Sequence, residues 1–246
     1  GKHVFCEKPM AVTIDEADRA IAAAKSAGVV LQVGFNRRFD TGFAAAIAAV
    51  KAGENATTQL SRSLTRDPGP HDPSRIPQWT IFLETLIHDF DTLLHFNHGA
   101  KPVEVYALAD ALVRPDFKDK GLLDTSVVTI RFDNGAIATA EANFQAVYGY
   151  DVRGEVFGSK GMLQAGHINV NNCVRYHQGG IAIETSRLDS DLLSAAYVAE
   201  MAEFARCIRT GETPRATGED ARNALEIALA CIESVQLKQP VQLGAR

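Results

Sequence analysis

Apolar residues recur along the chain with two periods, and the points where one gives way to the other mark its elements. Residues 2–6 form a short strand-like run, and Thr13 followed three residues later by Glu16 is the signature of a capped helix start. Ala17, Ala20, Ile21 and Ala24 keep helical spacing as far as Gly28, and residues 29–33 then read as a strand interrupted only by Gln32. Two largely apolar strands joined by a crossover helix predict parallel pairing in a sheet covered on both faces, which two strands cannot build alone. The expectation is therefore that the sequence begins inside a domain.

A second helix is expected over 39–52, ending near Gly53, and a strand over 57–65 with polar residues on one side. The segment 67–77 carries Pro68, Pro70, Pro73 and Pro77, which remove backbone donors and predict a loop folded over a site. A helix over 82–96 follows. Strands with partial alternation are then expected at 103–112, 126–132, 136–144, 151–158 and 162–165, as an open, mainly antiparallel sheet. Asp133-Asn134-Gly135 predicts a type I′ hairpin, because Asn-Gly tolerates the positive φ values it needs. Amphipathic helices at 192–209 and 218–237 end the chain, the second with Thr217 as its cap and Pro240 beyond it. The fold class is α/β plus α+β.

Composition removes several functional classes. The 246 residues, 46% apolar and 22% charged, are those of a globular chain of one large or two small domains. A net charge of −5 with scattered Lys and Arg offers no basic stripe, which argues against nucleic acid or an anionic membrane as partner. No apolar run approaches the roughly 18 residues that span a bilayer and no secretion signal is evident, so a cytoplasmic location is expected. Cys6, Cys173, Cys207 and Cys231 lack paired ligand spacing and predict free thiols.

Glu7-Lys8-Pro9 stands at the C-terminal end of the first strand, where open parallel sheets gather ligands. Pro9 restricts the residue before it to an extended conformation and can adopt a cis bond, either of which would aim Lys8 out of the sheet. A plain surface lysine is the alternative. On the helix from 82, Glu84, His88, Asp91 and His95 recur at i, i+4, i+7 and i+11 and share one stripe of an otherwise apolar element. That stripe either borders a cleft or is a solvated face. No second ligand cluster accompanies it, and no metal is expected. Histidine can take a proton from an alcohol, and a nearby lysine can hold the charge that develops as hydride leaves. The hydride acceptor has to be a cofactor, yet the chain holds no G-x-G-x-x-G.

Three segments agree in order with the Gfo/Idh/MocA oxidoreductases, the family of glucose-fructose oxidoreductase and inositol 2-dehydrogenase. Glu7-Lys8-Pro9 resembles the family's Glu-Lys-Pro segment. Gly34-Phe35-Asn36-Arg37-Arg38-Phe39-Asp40 resembles its Gly-Phe-x-Arg-Arg-Tyr/Phe-Asp segment, and Ile87-His88-Asp89-Phe90-Asp91 its His-Asp/Glu-x-Asp helix. The stretch from Tyr148 to Gly161 resembles the strand that inositol dehydrogenases use beside the substrate ring.

This resemblance implies a division into residues 1–36, the C-terminal part of a Rossmann NAD(P)-binding domain, and residues 37–246, a substrate-binding and oligomerisation domain with an open sheet. It implies that Lys8 contacts the reacting hydroxyl and the nicotinamide side, with Glu7 and Pro9 beside the cofactor. His88 would be the general base, Arg38 would line the pocket, and Tyr148 and Tyr150 would offer hydroxyls to a polyol. Glu84 stands where inositol dehydrogenases carry an aspartate, one methylene longer, and would bond the sugar or orient His88. The implied activity is NAD- or NADP-dependent oxidation of a cyclic polyol by a homo-oligomer joined through the sheet. An aldose, sugar-acid or nucleotide-sugar dehydrogenase is the alternative, as is an inactive assembly or ligand-binding module for this stretch alone.

Overall fold

A computed structural model describes residues 1–69 and 76–244. Strands β1 (Val4–Cys6) and β2 (Leu31–Val33) pair in parallel, with Phe5 opposite Gln32, and α1 (Ile14–Ala27) makes the crossover. The Thr13 hydroxyl accepts from the Glu16 N–H at 3.3 Å, and Gly28 closes the helix at φ 61°. Gln32 is buried and donates to the carbonyl of Glu200, which ties this unit to the rest of the molecule.

A 3₁₀ turn, Asn36–Phe39, precedes α2 (Thr41–Lys51). The second helix therefore starts later than its apolar run suggests, because Asp40 is extended and its carboxylate caps the N–H groups of Gly42 and Phe43. After β3 (Thr58–Arg66), the expected single helix over 82–96 is split into a π-helical turn, Ile81–Thr85, and α3 (Ile87–Phe96). The Leu86 N–H reaches back five residues to the Ile81 carbonyl, so one extra residue widens this turn. Of the proline-rich segment, Pro70 and Pro73 lie outside the described residues.

The main sheet runs β11-β4-β5-β6-β3-β7-β8. Its further strands are β4 (Pro102–Asp110), β5 (Thr125–Phe132), β6 (Ile137–Asn143), β7 (Asp151–Gly158), β8 (Gly161–His167) and β11 (Val241–Gln242). Neighbours pair antiparallel except β3 and β6, which run parallel with Ser63 opposite Ala140. The sheet is thus open and mainly antiparallel, as its alternation predicts. The β5–β6 connection differs from the type I′ turn: Gly135 alone takes positive φ, 88°, and its N–H donates to the Phe132 carbonyl. Asp133 and Asn134 form an ordinary turn, and the glycine absorbs the left-handed step that follows.

Alternation places Ser126, Val128, Ile130 and Phe132 of β5 inside and leaves Val127 exposed. The inner face packs on α2, α3 and α6 (Gly218–Leu237), through Phe43, Phe90 and Phe96 among others. Where these rings press closest the sheet turns small: Ala138, Ala140 and Ala142 on β6, and Gly154 on β7, where a Cβ would sit 2.9 Å from both Phe43 and Phe96. A hairpin of β9 (Asn169–His177) and β10 (Gly180–Thr185) forms a separate sheet, and α4 (Asp189–Leu192) and α5 (Ser194–Thr210) follow it. No helix among the described residues is long and apolar enough to cross a membrane.

Candidate active site

Lys8 leaves the end of β1 just before a cis Lys8–Pro9 peptide, and its ammonium donates to the Glu84 carbonyl at 2.9 Å and the Glu84 carboxylate at 3.1 Å. The longer reach of glutamate over aspartate is spent on this ion pair. The π turn positions Glu84, and the first turn of α3 positions His88. The His88 ring stands edge-on to Phe35, and its Nδ1 is buried without a hydrogen-bond partner among the described residues. Burial, then the positive charges of Lys8 and Arg37, hold this imidazole well below the ordinary histidine value, so it is neutral and free to accept a proton.

Lys8, Glu84 and His88 open onto one cavity of about 500 Å³, a volume usual for small-ligand sites. Glu7 and Tyr150 line it too. The Glu7 carboxylate lies over Gly34, where a Cβ would stand only 2.7 Å from Glu7 Oε2. Beneath the cavity, the Arg37 guanidinium pairs with Asp89 at 2.7 Å, and Ser63 and Thr65 donate to the same carboxylate at 2.5 and 2.7 Å. Both partners of this ion pair are buried.

Two expected residues lie elsewhere. Arg38 does not line this cavity: its guanidinium pairs with Asp91 and Asp220 and donates to the Arg215 carbonyl, beside a second cavity that also contains His95. Successive residues of a 3₁₀ turn point about 120° apart, so Arg37 faces the first cavity and Arg38 turns away. Tyr148 is spent as well, its hydroxyl donating to Asp151 at 2.6 Å outside the cavity. The polar stripe also divides, because seven residues advance an α-helix by about 10 Å. Glu84 and His88 reach the first cavity, whereas Asp91 meets Arg38 and His95 approaches Asp220 at 3.9 Å.

Asp189 and Tyr197 line the cavity without any sequence signal of their own, while Arg37 and Asp67 line it from the Arg-Arg segment and from the start of the proline-rich loop. Tyr150 and Asp67 line the cavity together, and the Tyr197 hydroxyl donates to Asp189 at 2.8 Å. Burial is the main cause that pushes the Asp67 carboxyl up to about 6; the neighbouring Tyr150 hydroxyl opposes it and the negative charge of Asp189 adds to it.

Residues 1–35 match the NAD-binding Rossmann fold of an oxidoreductase family, and residues 74–243 match that family's C-terminal alpha/beta domain. The chain is 37% identical to a myo-inositol 2-dehydrogenase of Thermotoga maritima, covering 98% of this chain and 73% of the relative. It is 32% identical to the NAD(+)-dependent scyllo-inositol 2-dehydrogenase of Bacillus subtilis, covering 100% of this chain and 72% of that one. It superposes with a TM-score of 0.92 on a Lactobacillus casei scyllo-inositol dehydrogenase solved with NAD(H) and scyllo-inositol, at 27% identity over 100% of this chain and 74% of the other. Motif order, sheet topology and these likenesses agree, and the chain belongs to the Gfo/Idh/MocA oxidoreductase family.

Proposed function

We propose that the protein oxidises a ring hydroxyl of a cyclic polyol of the inositol type, with NAD as the hydride acceptor. The observation that carries this reading is that Lys8 and His88, far apart in sequence, open onto a single cavity. Neutral His88 takes the hydroxyl proton. The Lys8 ammonium, held by Glu84, stabilises the negative charge that grows on the oxygen. Tyr150 contacts the polyol.

Glu7, Lys8 and Pro9 would hold the nicotinamide end of the cofactor, whose bound form supplies the acceptor for hydride. Their chemistry fits that end: a carboxylate packed over Gly34 and an ammonium suit ribose hydroxyls and a carboxamide. In this reading residues 1–36 serve the cofactor and residues 37–246 serve the substrate and assembly. NAD rather than NADP is favoured by the relatives whose names specify it.

The test is NAD reduction by the complete polypeptide with a panel of inositols and aldoses, cofactor binding being checked by calorimetry. Turnover of inositols is expected. Absence of reduction with every polyol while NAD binds would reject the reading. The exposed outer face of the sheet, which includes Leu60, Leu108, Val127 and Phe157, is proposed as the contact between copies, and a monomer in solution scattering would remove that part.

A further inference from the structure

Helix α5 carries Tyr197, Glu200 and Phe204, spaced three and four residues apart, along the face it turns to β1 and β2. Phe204 meets the Phe5 ring edge-on with centroids 5.9 Å apart, and Gln32 donates to the Glu200 carbonyl at 2.8 Å. Tyr197 reaches the cavity, its hydroxyl held by Asp189. Glu200 alone in this stripe has no evident structural use for its side chain. The residue is 1% exposed, its Oε2 lacks a hydrogen-bond partner, and no cation pairs with it among the described residues. The charge that acts on it is another acid, Glu7, which leaves the end of β1 and lines the cavity.

A carboxylate cut off from water and facing a like charge is the costlier of its two forms, so the proton is retained. Burial, then the charge of Glu7, push the Glu200 carboxyl up to about 8. Glutamine would fill the same space without this cost, and a perturbed acid beside a cleft points to a use.

We propose that Glu200 exchanges a proton with solvent according to the charge of the cofactor's nicotinamide end, acting through Glu7: protonated when the reduced, neutral ring is bound, ionised when the oxidised, cationic ring is bound. This rests on the reading that Glu7, Lys8 and Pro9 hold that end of the cofactor, and it does not depend on which polyol is oxidised. The Lys8 ammonium is already engaged by Glu84, so the two acids can share one positive charge that a ligand brings. A cationic ring favours the ionised carboxyl, whereas a neutral ring that excludes water favours the protonated one. By reciprocity, rising pH favours the oxidised cofactor over the reduced one, which assists release of the reduced product.

The groups facing Glu200 are Glu7 from the end of β1, Gln32 from β2 and Tyr197 from its own helix. Burial holds the Tyr197 hydroxyl, and the Cys6 thiol beside Glu7, above their ordinary values, so both stay protonated near pH 8.

The experiment is calorimetry of NAD+ and NADH binding to the complete polypeptide at pH 7, 8 and 9, wild type against Glu200→Gln. Each titration is run in two buffers of different ionisation enthalpy, which counts the protons exchanged. In the wild type the ratio of Kd for NADH to Kd for NAD+ is expected to rise about tenfold from pH 7 to pH 9. At pH 8, NADH binding should take up about half a proton more than NAD+ binding. Glu200→Gln keeps the side chain's size but cannot ionise, and should abolish both effects.

Equal proton counts for the two cofactor forms, or a difference that survives in Glu200→Gln, overturn the proposal and leave the dehydrogenase reading intact. A wild type that binds neither form rejects the cofactor reading, and this proposal with it. Should the variant not fold, the wild-type proton counts decide, since equal uptake with both forms overturns the coupling.

Discussion

Replacement of His88 by asparagine is expected to lower kcat for polyol oxidation by about 10²–10⁴-fold, the usual contribution of a positioned general base. Asparagine preserves a polar side chain in the first turn of α3 but cannot take a proton at neutral pH. NAD binding and KM should stay within a few-fold, because the loss falls on the transition state rather than on ground-state contacts. Burial and the cations Lys8 and Arg37 hold His88 well below its ordinary value, so its own protonation is not expected to appear as an acid limb near 6.5. A kcat within tenfold of wild type, in a variant shown to bind NAD, would remove His88 from the role of base. Lys8→Met separates the neighbouring role, since it leaves the base in place and withdraws the charge that supports the developing alkoxide.

How far the sequence announces this arrangement depends on whether each signal is local. The strand Asp151–Gly158 and the helix Gly218–Leu237 are read to the residue, because alternation defines one and a cap defines the start of the other. At that start the Thr217 hydroxyl accepts from Asp220 N while the Asp220 carboxylate accepts from Thr217 N. Lys8 and His88 are legible as residues with suitable chemistry, but their convergence came only with the order of the family's motifs. Which arginine faces the cavity was not legible: Arg37 and Arg38 are adjacent, and their partners, Asp89 and Asp91, are one residue type two positions apart. The π turn inserts a single residue that leaves no mark in the apolar pattern. The β9–β10 hairpin buries almost nothing, so it has no alternation to read. Asp189 and Tyr197 reach the cavity only through the packing of α4 and α5, a long-range event without a local motif.

The largest effect on stability is expected at Arg37. Asp89 is wholly buried and accepts from Ser63, Thr65 and both terminal nitrogens of Arg37. Arg37→Met keeps much of the side-chain volume but leaves that carboxylate with two hydroxyls and no countercharge. Breaking a buried pair from one side typically costs about 3–5 kcal/mol, because the remaining charge can neither reach water nor find another cation. Urea denaturation should show a loss of that order with an unchanged m-value. Arg37→Met combined with Asp89→Leu should recover a large part of it, since removing both charges also removes the desolvation each had suffered. The same substitution bears on the chemistry, because Arg37 is one of the two cations that oppose protonation of His88. Burial and Lys8, the larger causes, remain in the variant, so His88 should stay neutral and still act as base. A loss below about 1 kcal/mol for Arg37→Met would mean that Asp89 is compensated by other groups and that the pair is not what holds the cavity floor in place.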